Sequence, residues 1–434
     1  MIKDYIKQAW ELMKQNLLFS SLYIIGTAMA ICFTTVMAVA YYVKLAPLYP
    51  EYNRSQTYYS DNVRVQTPDH KNTVNSAFSY TSLRDWLYPL KNVEAVSGVL
   101  QDADEHWIRP SDSNDFSISA IYTDPGFFKI YEFEFIEGTP FSQADFDSGV
   151  RTVVISDRLA QKAFRQTTGV VGKMLNYDMN DYRVCGVVKA GSKLGSMSYS
   201  DIYLPYKTYP NYQNTFYYDV VGAFEARFLT KDAAQAKALQ EELDAVIANV
   251  NQQHKGEWTV TMRPLRNHTS MVFDDVYYGN QYKVTPWILF KKFLPIILVL
   301  LLIPAFNLSG MISSRMEDRL AEMGVRKSFG ASKSVLLSQV MWENLILTLA
   351  GGLVGLVVAW SMLLLGKSWV FTLFENYPDA LYDNSVTITG EMLFSPTVFI
   401  TALLVCVIIN LLSALIPAWN SLRKPIVSSL NEKK

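Results

Sequence analysis

Four uncharged apolar runs constrain this chain more than any other feature. They are 17–43, 293–314, about 344–366 and 394–416. A helix of about 20 apolar residues crosses the hydrocarbon core of a bilayer. The first run is 27 residues long and the second 22. A chain built this way must place every polar segment on one membrane face or the other. The prediction is an α-helical membrane protein with four transmembrane helices. A secretory signal is the rival for the first run, because Ala38-Val39-Ala40 imitates a cleavage site. The run is, however, far longer than the ~7–15 residues of a signal's apolar region.

Charge sets the orientation. Residues 45–285 hold 23 Lys+Arg against 29 Asp+Glu, net −6, and the remainder holds 16 against 11, net +5. The basic residues outside 45–285 gather near the N-terminus, in 315–333 and in Arg423, Lys424, Lys433 and Lys434. The excess of Lys and Arg on cytoplasmic loops puts all three in the cytoplasm. Residues 45–285 then lie outside, and so does 367–391, with one Lys and four acids. Ile2, Ile6, Ala9, Trp10 and Met13 form one stripe of a helix over 1–16, the pattern of an interfacial helix on membrane lipid. Gly351, Gly352 and Gly355 make a small-residue face suited to close helix packing. Nothing suggests nucleic acid, for there is no basic arm or polybasic face.

The segment 45–285 reads as a large α+β extracytoplasmic domain of two subdomains. Near its start, Asp61–Thr67 reads as a strand, Thr81–Leu90 as a helix capped by Thr81, and Val93–Leu100 as a strand. Near its end, Val221–Leu229, a helix Lys231–Val250 capped by Thr230, and Glu257–Pro264 repeat the order. The two βαβ pieces, 45–109 and 221–285, form a split subdomain interrupted by an insert at 110–220. Cys185 is its single cysteine, so no internal disulfide is expected.

Between the second and third runs, Arg315, Glu317, Asp318, Arg319, Glu322, Arg326 and Lys327 crowd into a segment too short to be a domain. It reads as a loop helix at 315–333, stopped by Gly330, with Arg319 and Glu322 spaced to pair. Met323, Val325 and Phe329 are apolar residues that a solvated helix would not choose. The run Asp318 to Ser332, DRLAEMGVRKSFGAS, which includes Gly324, resembles the loop of MacB/FtsX-type ABC transporter permeases. Asp318 stands where that family usually has Glu, and Ala321 where it often has Arg. A second resemblance, to the MacB-like periplasmic core domain, rests on Phe127-Phe128, Gly138, Phe141, Val153–Ser156, Leu159-Ala160, Phe164, Gly172-Lys173 and Val184–Val187. The sequence departs at Arg165-Gln166-Thr167-Thr168, where glycine usually follows the phenylalanine.

The resemblance implies a permease subunit of a bacterial inner-membrane ABC transporter. A separate ATPase would contact Arg315, Asp318, Arg319, Glu322, Met323, Gly324, Val325, Arg326, Lys327, Phe329 and Gly330. Met323, Val325 and Phe329 would fill a groove there, with the charges as rim. It further implies a second permease copy or paralogue, a periplasmic adaptor and an outer-membrane channel, with efflux of drugs, peptides or lipids. Lipoprotein release and cell-wall-hydrolase control are alternatives within the superfamily. A membrane-anchored sensor without an ATPase is the alternative from another class, and it has no need of the 315–333 helix.

No catalytic motif is present. Gly366-Lys367-Ser368 ends like a phosphate-binding loop, but Ser361 stands at the upstream glycine position. The chain is expected to bind no cofactor of its own, ATP and Mg being used by the partner. His70, His106, His254 and His268 lack metal-ligand spacing and read as surface residues. Glu343 is expected at the cytoplasmic entry of the third span, near water.

Overall fold

The computed structural model describes residues 14, 17–101, 106–108, 116–192, 195, 197–273, scattered positions from 287 to 317, 320–366 and 395–423. The chain divides into two compact units, one over Lys44–Val284 and one formed by the chain on either side of it. Three helices among the described residues are long and apolar enough to cross a membrane: Leu17–Leu45, Lys333–Leu365 and Pro396–Leu422. The second expected span, the interfacial helix at 1–16, the loop 367–391 and the tail beyond Arg423 fall wholly or mostly outside the described residues. The first helix, α1 (Leu17–Leu45), extends past the expected end at Val43.

The unit over Lys44–Val284 is a mixed sheet with helices. Its strands in the first half are β1 (Thr57–Ser60), β2 (Val63–Gln66), β3 (Thr73–Phe78), β4 (Ala95–Gln101), β5 (His106–Ile108), β6 (Phe116–Ile118), β7 (Ala120–Thr123) and β8 (Phe135–Gly138). In the second half they are β9 (Thr152–Ser156), β10 (Met174–Tyr177), β11 (Asn180–Val188), β12 (Ile202–Pro205), β13 (Val221–Gly222), β14 (Phe224–Leu229), β15 (Thr259–Met262) and β16 (Arg266–Asn267). The helices α2 (Asp157–Phe164), α3 (Ala233–Gln253) and α4 (His268–Val272) belong to the same unit.

Strands of the first and second βαβ pieces pair with one another. β4 pairs with β14 from Leu100↔Phe224 to Ala95↔Leu229, and β2 pairs with β15. Among the described residues, β6 of the insert pairs with β5 in a separate two-stranded sheet, and the insert's other strands join the sheet of the split pieces. β7 pairs with β4 at Leu100↔Tyr122 and carries β12 in parallel, so one fourteen-stranded sheet runs through both parts. The reason is the free edge of β4. Its backbone donors and acceptors need partners, and β7 supplies them. Hydrophobic patterning reveals a strand but not which edge it will close.

Burial follows composition. In β9 every residue of Thr-Val-Val-Ile-Ser is buried, as expected of a strand covered on both faces. In β2, Val63 and Val65 are buried and Arg64 is exposed, the alternation of a half-covered strand. Local caps differ from those expected. Ser79, not Thr81, caps the helix at Tyr80–Ser82, which continues as a π turn over Leu83–Leu87. Asp232, not Thr230, caps α3 by accepting from the Gln235 amide. Thr230 is buried and hydrogen-bonded to the Gln56 carbonyl. At the end of α2, Arg165 itself takes the left-handed conformation, φ 58°, in place of the usual glycine.

In the other unit, α5 (Leu320–Ser328), α6 (Lys333–Leu365) and α7 (Pro396–Arg423) follow one another. The span expected at 344–366 is the second part of a longer helix that starts at Lys333, capped by Ser332. α7 continues through Pro417 to Arg423 instead of stopping at the proline. Gly351 and Gly355 face α1. A Cβ on Gly351 would lie 2.9 Å from Thr27 Cβ, and one on Gly355 would lie 2.5 Å from the Ala28 carbonyl oxygen. Gly352 lies against side chains of both neighbours, Leu403 of α7 and Ile31 of α1.

Candidate coupling site

The helix α5 is bounded at its C-terminal end by a glycine and followed at once by a cap. Gly330 has φ 91°, a left-handed conformation that only glycine adopts without strain. Ala331 N donates to Arg326 O and Gly330 N donates to Lys327 O, which satisfies carbonyls at the helix end. Ser332 then accepts from Val335 N and starts α6. Gly330 and Ser332 thus reverse the chain within four residues of α5.

The expected contact residues divide. Arg315, Asp318 and Arg319 lie outside the described residues, as does the side chain of Glu322, so the Arg319–Glu322 pair does too. Met323 is not a surface residue. It is 5% exposed and packs in a core with Tyr23, Met316, Leu336, Val340 and Leu422. Gly324 is buried beside it. Val325 is 44% exposed and Phe329 is 87% exposed. Met316 and Met323 are seven residues apart and both buried, and that spacing was the available signal for the burial of Met323.

The two cations near the end of α5 are used internally. Arg326 Nη1 donates to Gln339 Oε1 at 2.8 Å, and Gln339 Nε2 donates to Glu343 Oε1 at 3.3 Å. Glu343 is 3% exposed and so does not sit in water as expected. Lys327 Nζ donates to the Leu422 carbonyl at 2.8 Å, near the C-terminal end of α7, where a cation is favoured. The loop helix is therefore fastened to α6 by one side chain and to α7 by the next. It offers Val325 and Phe329 outward.

A second site was not visible in sequence. In the mixed unit, a cavity of about 450 Å³ is lined by Tyr80, Tyr88, Asp124, Phe146, Tyr206 and Lys207 among others. Asp124 is buried at its base. It accepts from Gly98 N and Gly126 N at 2.7 Å each and from the Tyr88 hydroxyl at 2.5 Å. Burial outweighs these donors and pushes its carboxyl up to about 6. A folded-state value above the unfolded one favours the protonated form. The stability it contributes is full below about pH 4 and is lost as pH rises through about 6. Asp124→Asn should flatten that fall, on the order of 1–3 kcal/mol, in urea melts run between those pH values.

Two family profiles match the chain. The MacB-like periplasmic core domain covers residues 20–246, more than half of it, and the FtsX-like permease C-terminal covers 295–426. The chain belongs to the MacB/FtsX-type ABC transporter permeases. Among curated relatives of this permease, the ABC transporter permease YknZ of Bacillus subtilis (strain 168) is 23% identical over 291 residues, 66% of this chain and 67% of that one. The macrolide export ATP-binding/permease protein MacB of Agrobacterium fabrum is 24% identical over 308 residues, 70% of this chain and 42% of that one. The pyoverdine export ATP-binding/permease protein PvdT of Pseudomonas savastanoi pv. phaseolicola is 24% identical over 249 residues, 56% of this chain and 35% of that one. The permease therefore spans less than half the length of these two ATP-binding relatives. Among solved structures, the extracellular domain of YknZ from Gram-positive bacteria is 21% identical, covering 46% of this chain and 99% of that one, with TM-score 0.33.

Proposed function

We propose that this permease is the non-catalytic membrane subunit of an inner-membrane ABC transporter, driven by a separate ATPase that presses on α5. The observation that supports it most is Phe329, 87% exposed just past a helix whose Met323, Arg326 and Lys327 are turned to internal partners. An exposed aromatic beside an exposed valine is an anchor for a pocket on a partner. Load applied there passes through Arg326 to α6 and through Lys327 to α7. ATP and Mg are used by the ATPase, consistent with Ser361 at the position where a phosphate loop needs glycine. The N- and C-termini and α5 face the cytoplasm, and residues 45–285 face the periplasm, as the charge distribution supports. A second copy or a paralogue completes the transporter. The unit over Lys44–Val284 works with an adaptor and outer-membrane channel in efflux of drugs, peptides or lipids. Relatives whose names speak of macrolide and pyoverdine export support efflux over the other activities of the superfamily.

The test is Phe329→Asp. The side chain is exposed, so the variant should insert and melt like the parent within ~0.5 kcal/mol. An ATPase that co-purifies with the parent in mild detergent should be lost from the variant. Equal recovery with both proteins would remove the main support for α5 as the contact.

A further inference from the structure

Histidine 268, expected on the surface, is 3% exposed. Around it the mixed unit holds buried ionic groups that neither the fold pattern nor the coupling site accounts for. Glu51 and Arg54 are 1% and 3% exposed and form an ion pair at 2.8 Å. Arg54 Nη1 donates to the carbonyls of Ala46, 2.5 Å, and Lys44, 3.3 Å. His268 Nε2 donates to the same Lys44 carbonyl at 2.9 Å. These are the last carbonyls of α1 and of the residue just after it, groups left without partners inside the helix. The other oxygen of Glu51 accepts from Met197 N, Ser198 N and Ser198 Oγ at 3.1, 2.9 and 2.7 Å. Arg227 of β14, itself 3% exposed, donates to the Met197 carbonyl from the far side.

The network thus gathers four separate parts of the chain: residues 44–54, the segment before β12, the first residue of α4 and the strand β14. Each contact is made by a charged or polar group that is buried, where an unmade hydrogen bond is costly. Such a set moves as one body or breaks. The His268 Nε2 proton is assigned by its acceptor, a carbonyl, so Nδ1 is bare and faces Glu51 Oε2 at 4.0 Å.

We infer that Glu51, Arg54 and His268 are positioning residues of the transport cycle: they form a rigid junction that hands displacement of the chain at Lys44 to β12 and β14. The inference rests on the coupling reading above. Other ties of this segment, Tyr49 Oη to the Lys189 carbonyl and Asn53 Nδ2 to Glu132 Oε1, are exposed, whereas those of the junction are buried.

The test uses the full chain with the ATPase that co-purifies with it. Spin labels at Met174→Cys on β10 and Lys237→Cys on α3, both exposed, with Cys185→Ser, report the shape of the mixed unit. In the parent the distance between them should change when ATP is trapped with vanadate. In His268→Ala the change should be lost while ATPase binding and turnover remain. His268→Gln, whose amide can donate to the Lys44 carbonyl as Nε2 does, should restore it. A merely structural role would lower the folded fraction and leave the change intact in folded molecules. A full-size change in folded His268→Ala overturns the junction alone. No change in the parent overturns both the junction and the coupling reading. Should His268→Ala fail to fold, hydrogen exchange on the parent decides. The amides of Met197 and Ser198 should exchange within about tenfold of the most protected amides of β14, as one cooperative set. Exchange faster by more than about a hundredfold means that no junction exists.

Discussion

Arg54→Met is expected to destabilise the mixed unit by about 3–5 kcal/mol, a large part of the ~5–15 kcal/mol that holds a domain folded. The methionine fills much of the space but leaves Glu51, 1% exposed, without its cation and the Ala46 carbonyl without the Arg54 donor. Glu51→Gln added to Arg54→Met removes the stranded charge. It also keeps an acceptor for Met197 N and Ser198 N, so about 1–2 kcal/mol should return. The pH dependence should weaken. In the parent, burial and then Arg54 hold the His268 imidazole below its usual value, so stability is lost as pH falls through about 6.5. Without Arg54, Glu51 remains and favours the imidazolium. Burial still holds the imidazole down, so the loss of stability as pH falls should become shallower, not reverse. Urea melts of parent and variant at pH 6 and 8.5, followed by the fluorescence of buried Trp258, measure both effects. Parallel pH profiles would mean that Arg54 does not control His268.

Gly355→Val should cost about 3 kcal/mol, at the upper end of overpacking penalties, because the atom in the way is backbone. The new Cβ would stand 2.5 Å from the Ala28 carbonyl oxygen and 3.0 Å from Ala28 Cα, and neither can rotate aside. α1 and α6 would have to separate, which breaks the Tyr23 hydroxyl contact with Thr348 Oγ1 at 3.0 Å. Gly26→Ala is the control. Nothing lies within 4 Å of a Cβ there, so the same kind of change should gain up to ~1 kcal/mol through helix propensity. The measurement is the midpoint of thermal aggregation in detergent. A Gly355 variant that melts with the parent would show that the α1–α6 approach is looser than these distances imply.

The loop helix shows how far sequence reached at the candidate site. Gly330 announced its own role, because a stop before Ser332 depends on one residue's backbone and its neighbours. The exposure of Phe329 was legible as an apolar residue in a charged loop. The burial of Met323 was half-legible, through its spacing from Met316. The internal use of Arg326 and Lys327 was not. Their partners, Gln339 and Leu422, are 13 and 95 residues away, and no local pattern selects either. His268 makes the same point. As a lone histidine it read as a surface residue, yet its hydrogen bond goes to a carbonyl 224 residues earlier in the chain.

What the sequence determined by itself is therefore what short-range physics writes into it. Apolar runs of membrane length recur as α1, as the later part of α6 and as α7, and alternation marks β2. Tertiary structure alone decided which edges and ends found each other. β4 took β7 as its second neighbour and made one sheet of two expected parts. Arg54 and His268 converged on the end of α1, and Gly355 chose the backbone of Ala28. Each of these satisfies a donor, an acceptor or a packing surface that any of several distant segments could have met. The choice is made by the geometry of the whole chain, where free energy depends on what remains uncovered elsewhere.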